Sequence, residues 1–103
     1  KANINQPSIC DAIITPQPGQ LTFAINKELL SGGAVITDRD ALRAIATAFK
    51  HLKIVIEPGG AAALAAVLTG QYPRGSSTVV AIASGGNIDP QMFQRALDEG
   101  PIF

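Results

Sequence analysis

The fold is decided by "KIVIEPGGAAALAAVLTG", Lys53–Gly70, in which a β-branched run is followed by a proline, two glycines and an alanine-rich run. The apolar residues 54–56 favour a strand, and Pro58 ends it. The alanines that follow favour a helix with little side-chain bulk, which packs closely against its neighbours. The stretch therefore predicts a strand–turn–helix unit with a tight turn at Gly59 and Gly60.

A second unit of this kind precedes the first. "GAVIT", residues 33–37, is a short β-branched run, and "DRDALRAIATAFKHL", residues 38–52, places apolar side chains at intervals of three and four residues. This spacing predicts an amphipathic helix. Thr37 is a suitable N-cap, and Asp38 and Asp40 supply negative charge where the helix dipole favours it.

A third unit follows. "STVVAIAS", residues 77–84, is apolar throughout its centre, as expected of a strand that is covered on both faces. Asp89 and Pro90 predict the start of a helix that ends before Gly100. Residues 34–100 thus predict β-α-β-α-β-α, an α/β fold with a parallel sheet and right-handed crossovers.

The first third of the chain has a different pattern. "SICDAI", residues 8–13, predicts a short edge strand, and the prolines and glycine of "TPQPGQLTF", residues 15–23, predict a loop. "AINKELLSGG", residues 24–33, predicts a helix that ends at its glycines. With 103 residues and no internal repeat or linker, the chain has the size of one domain.

Composition excludes several functional classes. Eight basic residues balance eight acidic ones, so there is no basic surface of the kind that nucleic acid or anionic lipid requires. The single cysteine, Cys10, excludes an internal disulfide and argues against a zinc cluster. No apolar run reaches the roughly 18–20 residues of a membrane span. We therefore expect a cytoplasmic protein with no metal and no nucleic-acid or membrane partner.

Two predicted strands end in glycine-rich turns, with Glu57 and Ser84 as their last residues. In open α/β sheets, ligands bind outside the carboxyl ends of the strands, so both side chains could meet one small molecule. Each motif alone has a structural explanation, because glycines serve tight turns and close helix packing, and serine is common at turns. Together they make a ligand site a comparable interpretation, although the residues contain no complete catalytic set.

Three segments resemble a known family. "SICDAIITPQPGQLTF" (8–23), "LKIVIEPGGAAALAAVLTG" (52–70) and "VVAIASGGNID" (79–89), in this order and spacing, resemble the C-terminal part of the serine/threonine dehydratases. These are pyridoxal-phosphate enzymes of the tryptophan-synthase-β-like fold (fold type II) and include threonine ammonia-lyase and serine racemase. The resemblance implies that residues 1–103 form a single C-terminal segment of a larger catalytic domain, within the large domain of such an enzyme.

The resemblance also implies roles for the two turns. The family's counterpart of Ser84 hydrogen-bonds the pyridine nitrogen of the cofactor. A hydroxyl does not hold a proton on that nitrogen as an aspartate would, which suits β-elimination of water. Gly85 and Gly86 would let the backbone approach the ring.

The glutamate turn is assigned to the same pocket. Glu57 resembles a family glutamate near the cofactor ring, and Gly59 and Gly60 would line the pocket. Asn87 resembles a residue that stabilises the serine-containing turn, with a lesser claim to a ligand contact.

The resemblance leaves parts of an active site unaccounted for. No lysine in this chain has the family's cofactor-binding motif, and the glycine-run loop for the cofactor phosphate and the acidic cation loop are absent. We expect these before Lys1, so no catalytic residue lies in this chain, which should be inactive alone. The implied partners are the rest of the enzyme chain, an amino-acid substrate and further copies in a dimer or tetramer.

Three other interpretations stay open. The chain could be a non-catalytic α/β binding or regulatory module, a racemase of the same family, or a pseudo-enzyme that has lost the lysine. The residues do not distinguish serine from threonine as the substrate of a dehydratase.

Overall fold

The computed structural model describes residues 7–72, 75 and 78–103. In these residues there are four α-helices and one short 3-10 helix, and no strand. The 3-10 helix spans Asp11–Ile13. The α-helices are α1 (Gln20–Leu29), α2 (Asp38–Leu52), α3 (Pro58–Leu68) and α4 (Pro90–Glu99).

Helix α2 begins as its sequence predicts. The Thr37 hydroxyl accepts a hydrogen bond from the Asp40 backbone N–H at 3.1 Å, and the Asp40 carboxylate accepts one from the Thr37 N–H at 2.9 Å. This reciprocal capping box satisfies two backbone groups at the helix start. The helix ends at Leu52, and the following C-cap residue, Lys53, adopts a left-handed conformation with φ 59°.

Helices α3 and α4 both carry a proline at the first position, where its missing N–H costs no helical hydrogen bond. The Asp89 side chain caps α4 by accepting from the Met92 N–H at 2.9 Å, and Gly100 ends it with φ 79°. The start and end predicted for α4 are therefore confirmed. Pro58, predicted to end a strand, instead opens α3.

The core lies where α2 packs against α3 and α4. Its centre is Ile45, which is fully buried. The Phe49 and Phe93 rings pack edge to face, with their centroids 5.3 Å apart. Most of the remaining core residues are alanines, whose small side chains allow the helices to pack closely. The other buried residues of the core cluster are Leu42, Ala44, Ala48, Ile56, Ala61, Ala65 and Ala96.

The predicted α/β fold with a parallel sheet is wrong for the described residues, which are helical and contain no strand. The segments 34–37, 53–57 and 78–84 connect the helices without forming ladders, and Ser77 lies outside the described residues. β-branched residues favour strands where a covered, pleated surface is available. Here Val35, Val80 and Ile82 are 70%, 83% and 73% exposed, so the apolar runs have no such surface.

The first third also differs from its prediction. Asp11–Ile13 form the 3-10 helix where an edge strand is predicted, and α1 begins at Gln20, inside the predicted loop. The prolines and glycine of that segment therefore precede a helix and do not extend the loop to residue 23. No residue of α1 is buried.

The part of the chain that the structure describes contains no helix long and apolar enough to cross a membrane.

Candidate functional site

Two turns that are distant in sequence lie against each other in the structure. We call residues 57–60 the acidic turn and residues 84–87 the serine turn. The backbone N–H of Glu57 donates a hydrogen bond to the carbonyl oxygen of Gly85 at 3.0 Å. A Cβ on Gly60 would lie 2.6 Å from that same oxygen, so the turns could not approach this closely with a larger residue there.

The Glu57 side chain adds a second link between the turns. Its Oε2 accepts a hydrogen bond from the backbone N–H of Asn87 at 3.1 Å. A Cβ on Gly85 would lie 2.5 Å from Oε1, so the carboxylate lies directly over the glycine. Glu57 thus holds the serine turn at two points, through its main chain and through its carboxylate.

The remaining glycines pack against other parts of the chain. A Cβ on Gly86 would lie 2.8 Å from the Val55 carbonyl oxygen, and one on Gly59 would lie 3.3 Å from the Ala12 Cβ in the 3-10 helix. The glycines of both turns therefore have a packing reason within this chain. Whether they also clear space for a cofactor ring stays a prediction.

Ser84 lies at the exposed edge of this arrangement. Its side chain is exposed and makes no hydrogen bond to another described residue, so its hydroxyl is available to a ligand. Gly86 and Asn87 are exposed as well, whereas Glu57 is half-buried and Gly59 and Gly60 are buried. The structure thus brings the predicted site residues together, with Ser84 on the outside and the α3 glycines behind.

The serine turn is shaped by local hydrogen bonds. The Ile88 N–H donates to the Gly86 carbonyl oxygen at 2.9 Å, which tightens the chain just before the α4 cap. The acidic turn is anchored in the same way, because the Glu57 carbonyl oxygen accepts from the Ala61 N–H at 2.9 Å in the first turn of α3. The acidic turn is therefore fixed to α3, whereas the serine turn is tightened by a hydrogen bond within its own segment.

Cys10 is buried, directly before the 3-10 helix, and does not belong to the exposed edge. Burial raises the pKa of its thiol above the usual value, and a hydrogen bond with Ser8 offsets only part of this effect. The Ser8 hydroxyl also donates to the Asp38 carboxylate at 2.7 Å. A buried thiol with a raised pKa is a poor nucleophile, which gives Cys10 a packing role.

The acidic turn and half of the serine turn lie within a stretch that matches a known family. Residues 2–85 match the family described as pyridoxal-phosphate dependent enzymes, and this stretch is more than half of the chain. The chain belongs to the pyridoxal-phosphate-dependent enzyme family. This confirms the resemblance noted from the three sequence segments.

Three curated proteins that are similar to this chain are named for reactions of threonine or serine. The chain is 33% identical over 97 residues to an L-threonine ammonia-lyase of Thermotoga maritima, covering 94% of this chain and 24% of that protein. It is 33% identical over 93 residues to a serine racemase of Dictyostelium discoideum, covering 88% and 28%. It is 34% identical over 85 residues to a catabolic L-threonine dehydratase of Escherichia coli, covering 80% and 26%.

The chain spans about a quarter of the length of these curated relatives. No solved structure matches it significantly. The family membership makes pyridoxal phosphate the relevant cofactor, and the activity of the whole protein is considered below.

One link in the site has no counterpart in the sequence-based reasoning. Glu57 is predicted from the resemblance to lie near the cofactor ring, whereas the structure shows its carboxylate bonded to the Asn87 backbone. The acceptor role depends on a partner 30 residues away, which no local pattern encodes.

Proposed function

We propose that the full-length protein is a pyridoxal-phosphate-dependent serine/threonine dehydratase. It would convert a β-hydroxy amino acid to a 2-oxo acid and ammonia by β-elimination of water. In this proposal the present chain contributes the pyridine-nitrogen side of the cofactor pocket. The membership of the family and the names of the threonine ammonia-lyase and threonine dehydratase relatives support it.

One observation in the structure carries the assignment of the site. The two turns meet through the Glu57–Gly85 backbone hydrogen bond, and this contact leaves the Ser84 hydroxyl exposed and unbonded to other described residues. A neutral hydroxyl is a suitable donor to an aromatic nitrogen. No basic side chain belongs to either turn, so the residues present fit the uncharged end of pyridoxal phosphate and not its phosphate group.

The residues of this chain would act on the reaction through binding and orientation. Bound pyridoxal phosphate supplies an electron sink for the α-carbon of the substrate. Ser84 Oγ–H would donate to the ring nitrogen and fix the ring plane. Because a hydroxyl does not keep a proton on that nitrogen, it favours departure of the β-hydroxyl group over return of a proton to the α-carbon.

The other residues of the site have supporting roles in this proposal. Gly85, Gly86 and Asn87 would form the backbone surface beside the ring, and Glu57, Gly59 and Gly60 would hold that surface in place from behind. The lysine that binds the cofactor would lie elsewhere in the full-length protein, since no lysine of this chain has the required motif.

We further propose that residues 1–103 are a C-terminal segment of a larger catalytic domain. Helix α1 supports this, because its Leu21 and Leu29 side chains are 75% and 77% exposed and none of its residues is buried. Such apolar surface is normally covered by protein. The rest of the enzyme chain and further copies in a dimer or tetramer are the proposed partners. A cytoplasmic location is proposed because the buried Cys10 thiol is free.

Serine racemization is a second candidate activity, favoured by the serine racemase relative. The two activities share the cofactor and the substrate, and they differ in whether the β-hydroxyl group leaves. The same assay decides between them, because a dehydratase forms a 2-oxo acid and ammonia, and a racemase forms the D-amino acid.

The proposal is tested with the full-length protein, pyridoxal phosphate, and L-serine or L-threonine. We expect 2-oxo acid release, and Ser84→Ala should lower turnover by roughly tenfold, in line with the loss of one hydrogen bond worth about 1 kcal/mol or more. Ser31→Ala is the matched control, because Ser31 is also exposed but lies outside both turns. Unchanged turnover in Ser84→Ala would contradict the site assignment, and no product with either substrate would contradict the dehydratase.

A further inference from the structure

We infer that Glu57 is a positioning residue that holds the serine turn in the shape that presents Ser84, and that it acts as a hydrogen-bond acceptor and not through its negative charge. The expected effect on cofactor binding rests on the proposed function. The link itself is a property of this chain.

The geometry of the Glu57 carboxylate carries the inference. Oε2 accepts from the Asn87 N–H at 3.1 Å, three residues after Ser84, and Oε1 lies so close to Gly85 that a Cβ there would be 2.5 Å away. The carboxylate therefore covers the residue after Ser84 and bonds the third residue after it. A side chain used in this way is directed at the protein backbone.

The main chain of Glu57 fixes the same turn from the other side. Its N–H donates to the Gly85 carbonyl oxygen at 3.0 Å, while its own carbonyl oxygen accepts from Ala61 at 2.9 Å in α3. The residue thus connects the serine turn to the first turn of a helix that packs on α2. Turns carry function best when rigid elements support them, and Glu57 supplies that support here.

Ser84 depends on this support because it is exposed and its side chain makes no hydrogen bond to another described residue. If the Asn87 link is removed, residues 85–87 lose their side-chain anchor and keep the Glu57–Gly85 backbone bond and the local Ile88–Gly86 backbone bond. Ser84 would then sample several positions. A ligand that needs its hydroxyl at one position would bind less tightly and in a less defined orientation.

The two roles of Glu57 are separated by a pair of variants. In Glu57→Gln a carbonyl oxygen still accepts from the Asn87 N–H, but the charge is gone. In Glu57→Ala both are gone. A positioning role predicts that glutamine restores what alanine loses, and a charge role predicts that the two variants behave alike. Glu28→Ala is the matched control, since Glu28 is an exposed glutamate on α1.

The first measurement is amide hydrogen exchange of the full-length protein without cofactor, followed at Asn87. Exchange at Asn87 should accelerate by about tenfold in Glu57→Ala, as expected for loss of one ordinary hydrogen bond. It should stay within a few fold of the unsubstituted protein in Glu57→Gln and Glu28→Ala. Equal acceleration in Glu57→Gln and Glu57→Ala, or none in Glu57→Ala, would overturn the inference.

The second measurement is the visible circular dichroism of added pyridoxal phosphate, which reports the orientation of the bound ring. Glu57→Gln should keep the signal of the unsubstituted protein, and Glu57→Ala should reduce it by more than half. If Glu57→Ala does not fold, the glutamine variant alone decides, because loss of its signal would contradict positioning. An unsubstituted protein that binds no cofactor would refute the proposed function, and the exchange comparison would still decide the role of Glu57.

Discussion

At the scale of single residues, the site depends on two glycines, which have no Cβ atom. Gly60 and Gly85 allow two backbones to approach within hydrogen-bonding distance, and the Glu57 carboxylate occupies the space above Gly85. The sequence shows the glycines, which are compatible with tight turns, close helix packing or the approach of a ligand. It did not show that the approaching groups are the other turn and a glutamate of this same chain.

This packing predicts a specific cost for Gly60→Ala in the full-length protein. The new Cβ would lie 2.6 Å from the Gly85 carbonyl oxygen, and backbone atoms cannot move aside cheaply. We expect destabilisation of about 1–3 kcal/mol, measured as a lowered midpoint of thermal unfolding, together with weaker pyridoxal-phosphate binding. Gly32→Ala is the control, because a Cβ there meets nothing within 4 Å. Equal midpoints for the two variants would show that the turns do not pack as described.

At the scale of helices, local signals were sufficient wherever a cap or a periodic stripe was present. Thr37 and Asp89 were predicted to cap α2 and α4, and both do so. The predicted strands do not form in the described residues, because an apolar β-branched run favours burial of a segment but does not specify its pairing. Whether it pairs in a sheet depends on neighbouring strands, and residues 78–84 have none among the described residues.

The capping box of α2 predicts a pH dependence at its first turn. Hydrogen bonds from the backbone and the hydroxyl of Thr37 lower the pKa of Asp40 below its ordinary value. Because this pKa is lower in the folded than in the unfolded state, the carboxylate stabilises the folded protein at pH values above the ordinary pKa of an aspartate. The contribution is lost as the pH falls through the folded value.

Exchange of the Thr37 amide measures this contribution, since its acceptor is the Asp40 carboxylate at 2.9 Å. In the full-length protein, its protection should decline as the pH is lowered from neutral to below about 4. Asp40→Asn keeps an acceptor oxygen that does not titrate, so its protection should be nearly independent of pH in this range. The same decline in both proteins would argue against Asp40 as the responsible group.

At the scale of the whole molecule, the exposed apolar surface is the main feature that the chain does not explain by itself. Family membership could be predicted from three sequence segments, because their order and spacing are specific. The arrangement of α1 could not, because a helix whose side chains are all exposed here has no partner among the described residues that could fix its position.

If α1 is covered in the full-length protein, as proposed, a charge on its apolar side should be costly there. Leu29→Lys should lower the thermal unfolding midpoint by several degrees, because the substitution would place a charged side chain in a protein interface. Glu28→Lys, at the neighbouring position, should leave the midpoint nearly unchanged. A tolerated lysine at Leu29 would mean that α1 faces water in the intact protein.

The most direct test of the site is a binding titration of the full-length protein, freed of cofactor, with pyridoxal phosphate and with an analogue in which a C–H group replaces the ring nitrogen. Ser84→Ala should weaken binding of pyridoxal phosphate by roughly five- to tenfold, the equivalent of one hydrogen bond of about 1 kcal/mol. It should leave the affinity for the analogue unchanged, because the analogue offers Ser84 no acceptor. An equal loss of affinity for both compounds, or no loss for either, would contradict a contact between Ser84 and the ring nitrogen.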